Sequence, residues 1–337
     1  MSATSNKIEM RKLGDSGVEV SVITFGAWAI GGWMWGGAEE KDAIEAIHAS
    51  IEHGATSIDT AAVYGYGRSE EIVGKALVGK RDKVQILTKY GLRWDSKDGE
   101  HFFDWEQEGE RKEIYRNARK KSIIEECENS LRRLKTDYID LYQCHWRDHT
   151  TPVEETMEAM VELIKQGKIR AAGVSNFTSE DIEAARKICP IASNQPPYSM
   201  VLRDIEKTVL PYCRENNIGT IVYSPLQRGL LTGKFSPEVQ FKAGDHRANQ
   251  VHFQKENIKR VNTMLEKVKP VADRHQATLG QIVIAWTIAQ PGITSALVGA
   301  RDAAQTIENI KAAHIKLTAA DLKEIDNAIA TLELVPV

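Results

Sequence analysis

Cysteine is scarce in this chain. The four in 337 residues, Cys127, Cys144, Cys189 and Cys213, show no CxxC spacing and no histidine pattern of a zinc module. A disulfide framework is therefore not expected, and a reducing cytoplasm is the natural compartment. Long hydrophobic runs are also lacking. The longest, around Ile282 to Ala289, falls far short of the ~20 apolar residues that span a bilayer. Met1 to Arg11 is polar and has no apolar core of a signal peptide. No long basic run stands out and the formal net charge is -3, so nothing draws the chain to nucleic acid or anionic lipid. There is no close internal repeat, no low-complexity stretch and no linker rich in Pro, Gly or Ser. One domain over 1–337 is the expectation, since α/β barrels commonly reach this length.

What is present is a composition that can bury a sizeable core, 42% hydrophobic and 27% charged. Lys12 to Ser21 reads as a hairpin with Gly14, Asp15 and Gly17 as turn residues. Strand patterns then follow at 20–25, 56–58, 84–88, 138–144, 169–174, 191–194, 219–222 and 295–298. Helix patterns alternate with them at 42–53, 69–77, 121–134, 153–166, 179–188, 205–215, 279–289 and 303–313. An additional C-terminal helix is expected at 319–332. Alternation predicts a parallel sheet, and eight units suggest closure into a (β/α)8 TIM barrel; an open doubly wound sheet is the competitor. Two connections are long, 90–118 and 224–255. Both lie on the strand-to-helix side, where barrel enzymes keep their chemistry.

Most of the expected strands end in polar residues. Asp59 follows the second, Lys89 the third and His145 the fourth; Ser175 and Asn176 close the fifth, Gln195 the sixth, Tyr223 and Ser224 the seventh. Each has an ordinary reading: a helix N-cap for Asp59, a solvated lysine, a satisfied core histidine, a packed aromatic for Tyr64. In a closed barrel all converge on one rim, and coincidence at every strand end is the weaker explanation. Together Asp59, Tyr64, Lys89 and His145 supply a carboxylate, a phenol, an amine and an imidazole. A phenol with a reference pKa of about 10 donates protons poorly near neutrality. A neighbouring ammonium is expected to lower that pKa, and a carboxylate to hold the ammonium in place. No glycosidase-type acid pair and no Ser-His-Asp arrangement stands out as clearly. GLLTGK at 229–234 is one residue too short for a P-loop, and YGYGRSE at 64–70 does not complete GxGxxG.

At these residues the sequence resembles the aldo-keto reductase superfamily over nearly its whole length. The motifs are RKLGDSGVEVSVITFG at 11–26, IDTAAVY at 58–64, ILTK at 86–89, YIDLYQCH at 138–145 and GVSNF at 173–177. YSPL at 223–226, GLLTGK at 229–234 and VGARDAAQTIEN at 298–309 complete the series. The stretch WAIGGWMWGG at 28–37 looks most like bacterial members related to general stress protein 69 and the inositol-operon reductase. The resemblance implies an N-terminal hairpin on the barrel and reduction of an aldehyde or ketone with NADPH. Tyr64 would be the general acid, Lys89 and Asp59 its support, and His145 the group that orients the carbonyl. Ser175, Asn176 and Gln195 would hold the nicotinamide carboxamide and Tyr223 would stack on the ring. Ser224, Leu226, Gly229 and Lys234 would cover the pyrophosphate. Gly299, Arg301, Gln305 and Asn309 would bind the adenosine end, Arg301 near a 2′-phosphate. Gly26, Ala27, Trp28 and Asp59 are also expected at the cofactor.

For the substrate, Trp28, Trp33, Tyr64, His145 and Trp146 are expected to line the pocket, with aromatics of 90–118 forming one wall. The implied partner is a small carbonyl compound, with no nucleic acid, membrane or metal, and a monomer. A competing reading is an NADPH-binding regulatory subunit, since potassium channel β-subunits resemble this architecture. The chain's length, with no N-terminal extension expected to act as a partner-binding segment, weighs a little against it. A third is a barrel lyase or hydrolase that uses no nicotinamide.

Overall fold

The computed structural model describes residues 8–32, 34, 38–107, 110–241 and 245–336. Two short strands, β1 (Met10–Lys12) and β2 (Glu19–Ser21), pair antiparallel as a hairpin. Then come β3 (Ile23–Gly26), α1 (Glu40–Glu52), β4 (Ser57–Asp59), α2 (Arg68–Ala76) and β5 (Gln85–Tyr90). An excursion follows, made of β6 (Leu92–Arg93), β7 (Glu100–Gln107) and β8 (Glu110–Arg116). The alternation resumes with α3 (Lys120–Leu134), β9 (Ile139–Cys144), α4 (Val153–Lys165), β10 (Ile169–Ser175), α5 (Ser179–Arg186) and β11 (Ile191–Gln195). It ends with α6 (Val209–Glu215), β12 (Gly219–Val222), α7 (Lys255–Arg274), α8 (Leu279–Ala289), β13 (Ile293–Gly299), α9 (Ala303–Ile310) and α10 (Ala319–Ile329).

β3, β4, β5, β9, β10, β11, β12 and β13 form a closed parallel barrel, sealed where β13 pairs with β3 from Ala296↔Ile23 to Gly299↔Gly26. Alternation of side chains along each strand divides the core in two. Inward, Leu87, Leu141, Ala171, Ala192, Ile221 and Leu297 meet Leu13, Val18 and Val20 of the hairpin, which stoppers the barrel base. Outward, residues such as Ile58, Ile86, Tyr142 and Val174 pack on Ile47, Ile72, Ile123 and Met157 of the surrounding helices. Helix starts are set locally: Thr178, Thr278 and Thr318 each close a capping box with the residue three positions on.

The expected barrel, hairpin and C-terminal helix are all present, with four local differences. The strand expected at 20–25 is two, because Glu19–Ser21 pairs in the hairpin and Ile23–Gly26 in the barrel. The helix expected at 205–215 breaks at Thr208 into a short 3₁₀ turn, Asp204–Lys207, and α6. The connection at 90–118 carries a three-stranded antiparallel sheet in the order β6-β8-β7. Unexpected from the sequence is α7, whose buried Ile258, Val261, Leu265, Val268 and Ala272 follow a helical period. Pro270 lies inside it, and a proline interrupts the pattern that would otherwise announce a helix. Packing of α7 against α8 and α10 compensates for the missing bond.

The seating of α2 against α3 rests on Gly74. A Cβ there would lie 2.3 Å from the Arg133 carbonyl oxygen and 2.9 Å from the Leu134 backbone. On an open helix Gly→Ala stabilises by about 1 kcal/mol. Here the methyl forces two backbones apart, and overpacking costs about 1–3 kcal/mol. Gly74→Ala is therefore expected to lower stability by that amount in urea denaturation. Stability equal to or above wild type would refute the close approach.

Candidate active site

The C-terminal rim of the barrel collects its polar residues through strand register. Asp59 ends β4, opposite Leu87 of β5 and Gly26 of β3; Lys89, near the end of β5, sits opposite Gln143 of β9. Asp59 and Lys89 are buried, at 2% and 1% exposure. The Lys89 ammonium donates to Asp59 Oδ1 at 2.5 Å, to the Thr60 carbonyl at 2.9 Å and to the Tyr64 hydroxyl at 3.4 Å. The second carboxylate oxygen accepts from Gln195 Nε2 at 2.9 Å and Gln143 Nε2 at 3.4 Å. Both carboxylate oxygens of this buried ion pair thus have donors, the condition under which burial of two charges is tolerable. Gln143 was not singled out in the sequence; its signal is its place one residue before Cys144 at the end of a barrel strand.

Tyr64 stands on the turn between β4 and α2. The turn closes so tightly that a Cβ on Gly65 would lie 2.1 Å from the Gly31 carbonyl, and Gly65 has φ +63°. Only glycine fits there. Behind it, Ser69 bridges Thr60 Oγ1 at 2.9 Å and the Ala27 carbonyl at 2.8 Å. Glu70 accepts from Thr88 at 2.6 Å and from Arg133 at 2.6 Å. These bonds fix the Tyr64 ring edge-on to His145, centroids 5.7 Å apart, with Trp28 at 6.2 Å.

Burial dominates the electrostatics. It pushes the His145 pKa well below the usual imidazole value, and the Lys89 charge pushes the same way. His145 is therefore neutral at pH 7. Burial and the Asp59 charge raise the Tyr64 pKa well above the ordinary phenol value. The expectation that Lys89 brings it below a free tyrosine is not met. The ammonium is 3.4 Å away, but Asp59 offsets its charge and the site excludes water. Lys89 itself titrates below an ordinary lysine because desolvation outweighs the attraction of Asp59.

Beside this cluster lies a second one. Ser175 Oγ donates to the Gln195 carbonyl at 2.8 Å. Asn176, held at φ +60°, donates from Nδ2 to Ser175 Oγ at 3.0 Å and to the His145 carbonyl at 3.1 Å. Its Oδ1 accepts from the Tyr223 hydroxyl at 2.9 Å. The amides expected to hold a nicotinamide carboxamide are brought together, bonded to one another and to Asp59.

A cavity of about 730 Å³ runs over both clusters. Tyr64, His145, Trp28, Trp146 and Asp59 line one end. Leu92, Phe102 and Phe103 of the excursion add an apolar wall there. Gly26, Ser175, Asn176, Gln195 and Tyr223 line it too, as do Ser224, Leu226, Gly229 and Lys234. Gly299, Arg301, Gln305 and Asn309, from the end of β13 through α9, complete the expected set. Two expected residues do not face it. Ala27 is fully buried beneath, its N–H bonded to the Asp59 carbonyl at 2.8 Å. Lys89 sits behind Asp59 and Tyr64. Trp33 lies outside the described residues. Residues not foreseen include Met34, Arg228, Arg247 and Thr278. Arg228 and Arg247 belong to the long connection after β12, where sequence periodicity says nothing about which side chains turn inward.

The cavity fits an elongated ligand with an aromatic head, an amide and anionic groups. Tyr223 presents a ring, the Asn176–Gln195 cluster presents amides, and the N-terminus of α8 opens at Thr278. Lys234 and Arg301 are exposed and without an ion pair among the described residues. Among those residues no His, Cys, Asp or Glu cluster could hold a metal ion. No described helix is long and apolar enough to cross a membrane.

Comparison with known proteins agrees with this geometry. An aldo-keto reductase of Bacillus subtilis (strain 168) is 42% identical over 325 residues, spanning 96% of this chain and 94% of its own. A protein of Escherichia coli (strain K12) named NADH-specific methylglyoxal reductase is 39% identical, over 92% of this chain and 94% of its own. The solved glycerol dehydrogenase of Gluconobacter oxydans superposes with a TM-score of 0.87 at 36% identity, over 99% of this chain and 98% of that one. The Aldo/keto reductase family model matches residues 22–330, and the chain belongs to that family of oxidoreductases.

Proposed function

We propose that this protein reduces aldehydes or ketones to alcohols with NADPH, Tyr64 serving as general acid. The observation that carries this reading is the contact of the Tyr64 hydroxyl with an ammonium locked on Asp59, at a cavity end shared with His145. Family membership supports the redox class. A nicotinamide bound beside Tyr223 would supply the hydride. The protein's own part is at the carbonyl oxygen. Neutral His145 and the Tyr64 hydroxyl hold that oxygen, and Tyr64 delivers a proton to it as charge develops. Trp28, Trp146, Phe102 and Phe103 exclude water around the carbonyl. Lys89 then faces the phenolate, whose charge it balances.

For the cofactor, Ser175, Asn176 and Gln195 meet the carboxamide, Tyr223 the ring, and Ser224, Leu226, Gly229 and Lys234 the pyrophosphate. The preference for NADPH rests on Arg301, an exposed guanidinium suited to bidentate pairing with a 2′-phosphate. The Escherichia coli relative is named for NADH, so it is Arg301 and not family membership that supports the preference. The substrate is a small molecule and the compartment the cytoplasm.

Three measurements test the reading. Tyr64→Phe keeps the fold and NADPH binding, and single-turnover hydride transfer falls by about 10²–10⁴-fold or more. Near wild-type transfer would end the mechanism, and a wild type that binds NADPH without turning over reactive aldehydes would favour the regulatory role. Dissociation constants come next: NADPH binds more tightly than NADH, and Arg301→Ala loses much of the difference; equal wild-type constants would refute it. Finally, pH. Reduction needs protonated Tyr64, whose pKa lies above 10.0, and neutral His145, whose pKa lies below 6.5. Reductive kcat/KM is expected to be flat from about pH 7 to 9 and to fall only at higher pH, where alcohol oxidation gains. A descending limb centred near pH 8 would contradict the raised phenol.

A further inference from the structure

Gln143 is fully buried on β9, and the amide at its tip joins two groups of the site. Its Nε2 donates to Asp59 Oδ2 at 3.4 Å, and its Oε1 accepts from Gln195 Nε2 at 3.2 Å. Gln195 stands on β11, two strands away, since β10 runs between them. The side chain can cross because the residue it passes is Gly173, its register partner on β10. A Cβ on Gly173 would lie 3.0 Å from Gln143 Cγ and 2.6 Å from Ser193 Oγ. Only a residue without a side chain leaves that passage open.

Asp59 settles which way both amides face. An ionised carboxylate only accepts, so Gln143 and Gln195 each turn an Nε2 group to it. The remaining N–H of Gln195 meets Gln143 Oε1, and both donors of that amide are spent. An amide is planar, so a fixed nitrogen fixes the oxygen opposite. Gln195 Oε1 accepts no hydrogen bond among the described residues, and Gln195 belongs to the cavity wall. The polar groups beside it are engaged. Ser175 Oγ donates to the Gln195 main-chain carbonyl, Asn176 Nδ2 donates twice, and Asn176 Oδ1 accepts from Tyr223.

The distances tell which partner Gln143 serves. Asp59 already has Lys89 at 2.5 Å and Gln195 at 2.9 Å on its two oxygens, and the Gln143 contact at 3.4 Å is the longest of the three. A bond at the long edge of hydrogen-bonding range adds little to an ion pair so well met. The contact with Gln195 at 3.2 Å has no substitute among the described residues, because nothing else there engages the second N–H. With the bond to Asp59 alone, the amide plane of Gln195 is free to turn. Two bonds from one nitrogen fix it.

We propose that Gln143 is a positioning residue for the nicotinamide: it sets the Gln195 amide with its oxygen toward the cavity, to accept an N–H of the carboxamide. The proposal rests on the cofactor reading above, and its test separates the two. Dissociation constants are measured by quenching of tryptophan fluorescence for NADP+ and for its 3-acetylpyridine analogue, in which a methyl group stands where the carboxamide has NH2. Wild type, Gln143→Met and Gln143→Glu are compared. The wild type should bind NADP+ more tightly than the analogue, and Gln143→Met should cut that ratio by about 3- to 10-fold, as expected for one hydrogen bond no longer aimed. Gln143→Glu should keep the ratio, because a carboxyl oxygen still accepts from Gln195 Nε2. Were the role exerted through Asp59 instead, Gln143→Glu would be the more damaging variant, since it sets a second carboxyl group against that carboxylate. A wild type that binds both nucleotides equally overturns the proposal. So does a ratio that Gln143→Met leaves intact, or a loss shared equally by both nucleotides. If Gln143→Met does not fold, Gln143→Glu decides alone: a ratio lost there places the role on Asp59. A wild type that binds neither nucleotide refutes the cofactor reading itself, and this role falls with it.

Discussion

Everything at the rim depends on one buried ion pair, Asp59 with Lys89. Two charges at 2% exposure or less survive only if every remaining donor and acceptor is met. The groups that meet them come from four strand ends: Asp59 and Thr60 from β4, Lys89 from β5, Gln143 from β9, Gln195 from β11. None of these strands can shift register without stranding a charge. Barrel closure and site assembly are thus the same event, and the hairpin that fills the barrel interior from below contributes to both.

The pair also explains why the phenol behaves as it does. An ammonium alone beside Tyr64 would stabilise the phenolate. An ammonium already matched with a carboxylate is close to neutral at a distance, and desolvation then decides. Composition along the chain could suggest that Asp59, Tyr64 and Lys89 meet. It could not say how much water they share, because the walls that exclude it, Trp28, Phe102 and Trp146, come from three separate stretches of chain.

The same division runs through the rest of the molecule. The alternation of strands and helices was readable because each unit carries its own period, and the polar strand ends were readable because they recur. What escaped was fixed by tertiary context. The sheet at 92–116 has strands β7 and β8 of mixed charged and aromatic residues, without clean alternation. In α7 the period is present, but Pro270 breaks it. Arg228 follows a YSPL motif on a connection with no period, and the left-handed backbone angles at Ser224, Gln227 and Arg228 fall on residues whose type does not announce them. Ala27 looked like a cavity residue by position, and lies under the floor since its backbone is spent on Asp59 and Ser69.

The stopper at the base has a consequence for traffic. Leu13, Val18 and Val20 plug the barrel from below, and the cavity lies at the opposite rim. Among the described residues, a vessel corked at that end is entered from the rim. Whatever sits against Tyr223 and whatever sits against Tyr64 are then guests through the same opening, with Ser224 and Leu226 of the connection after β12 beside their path.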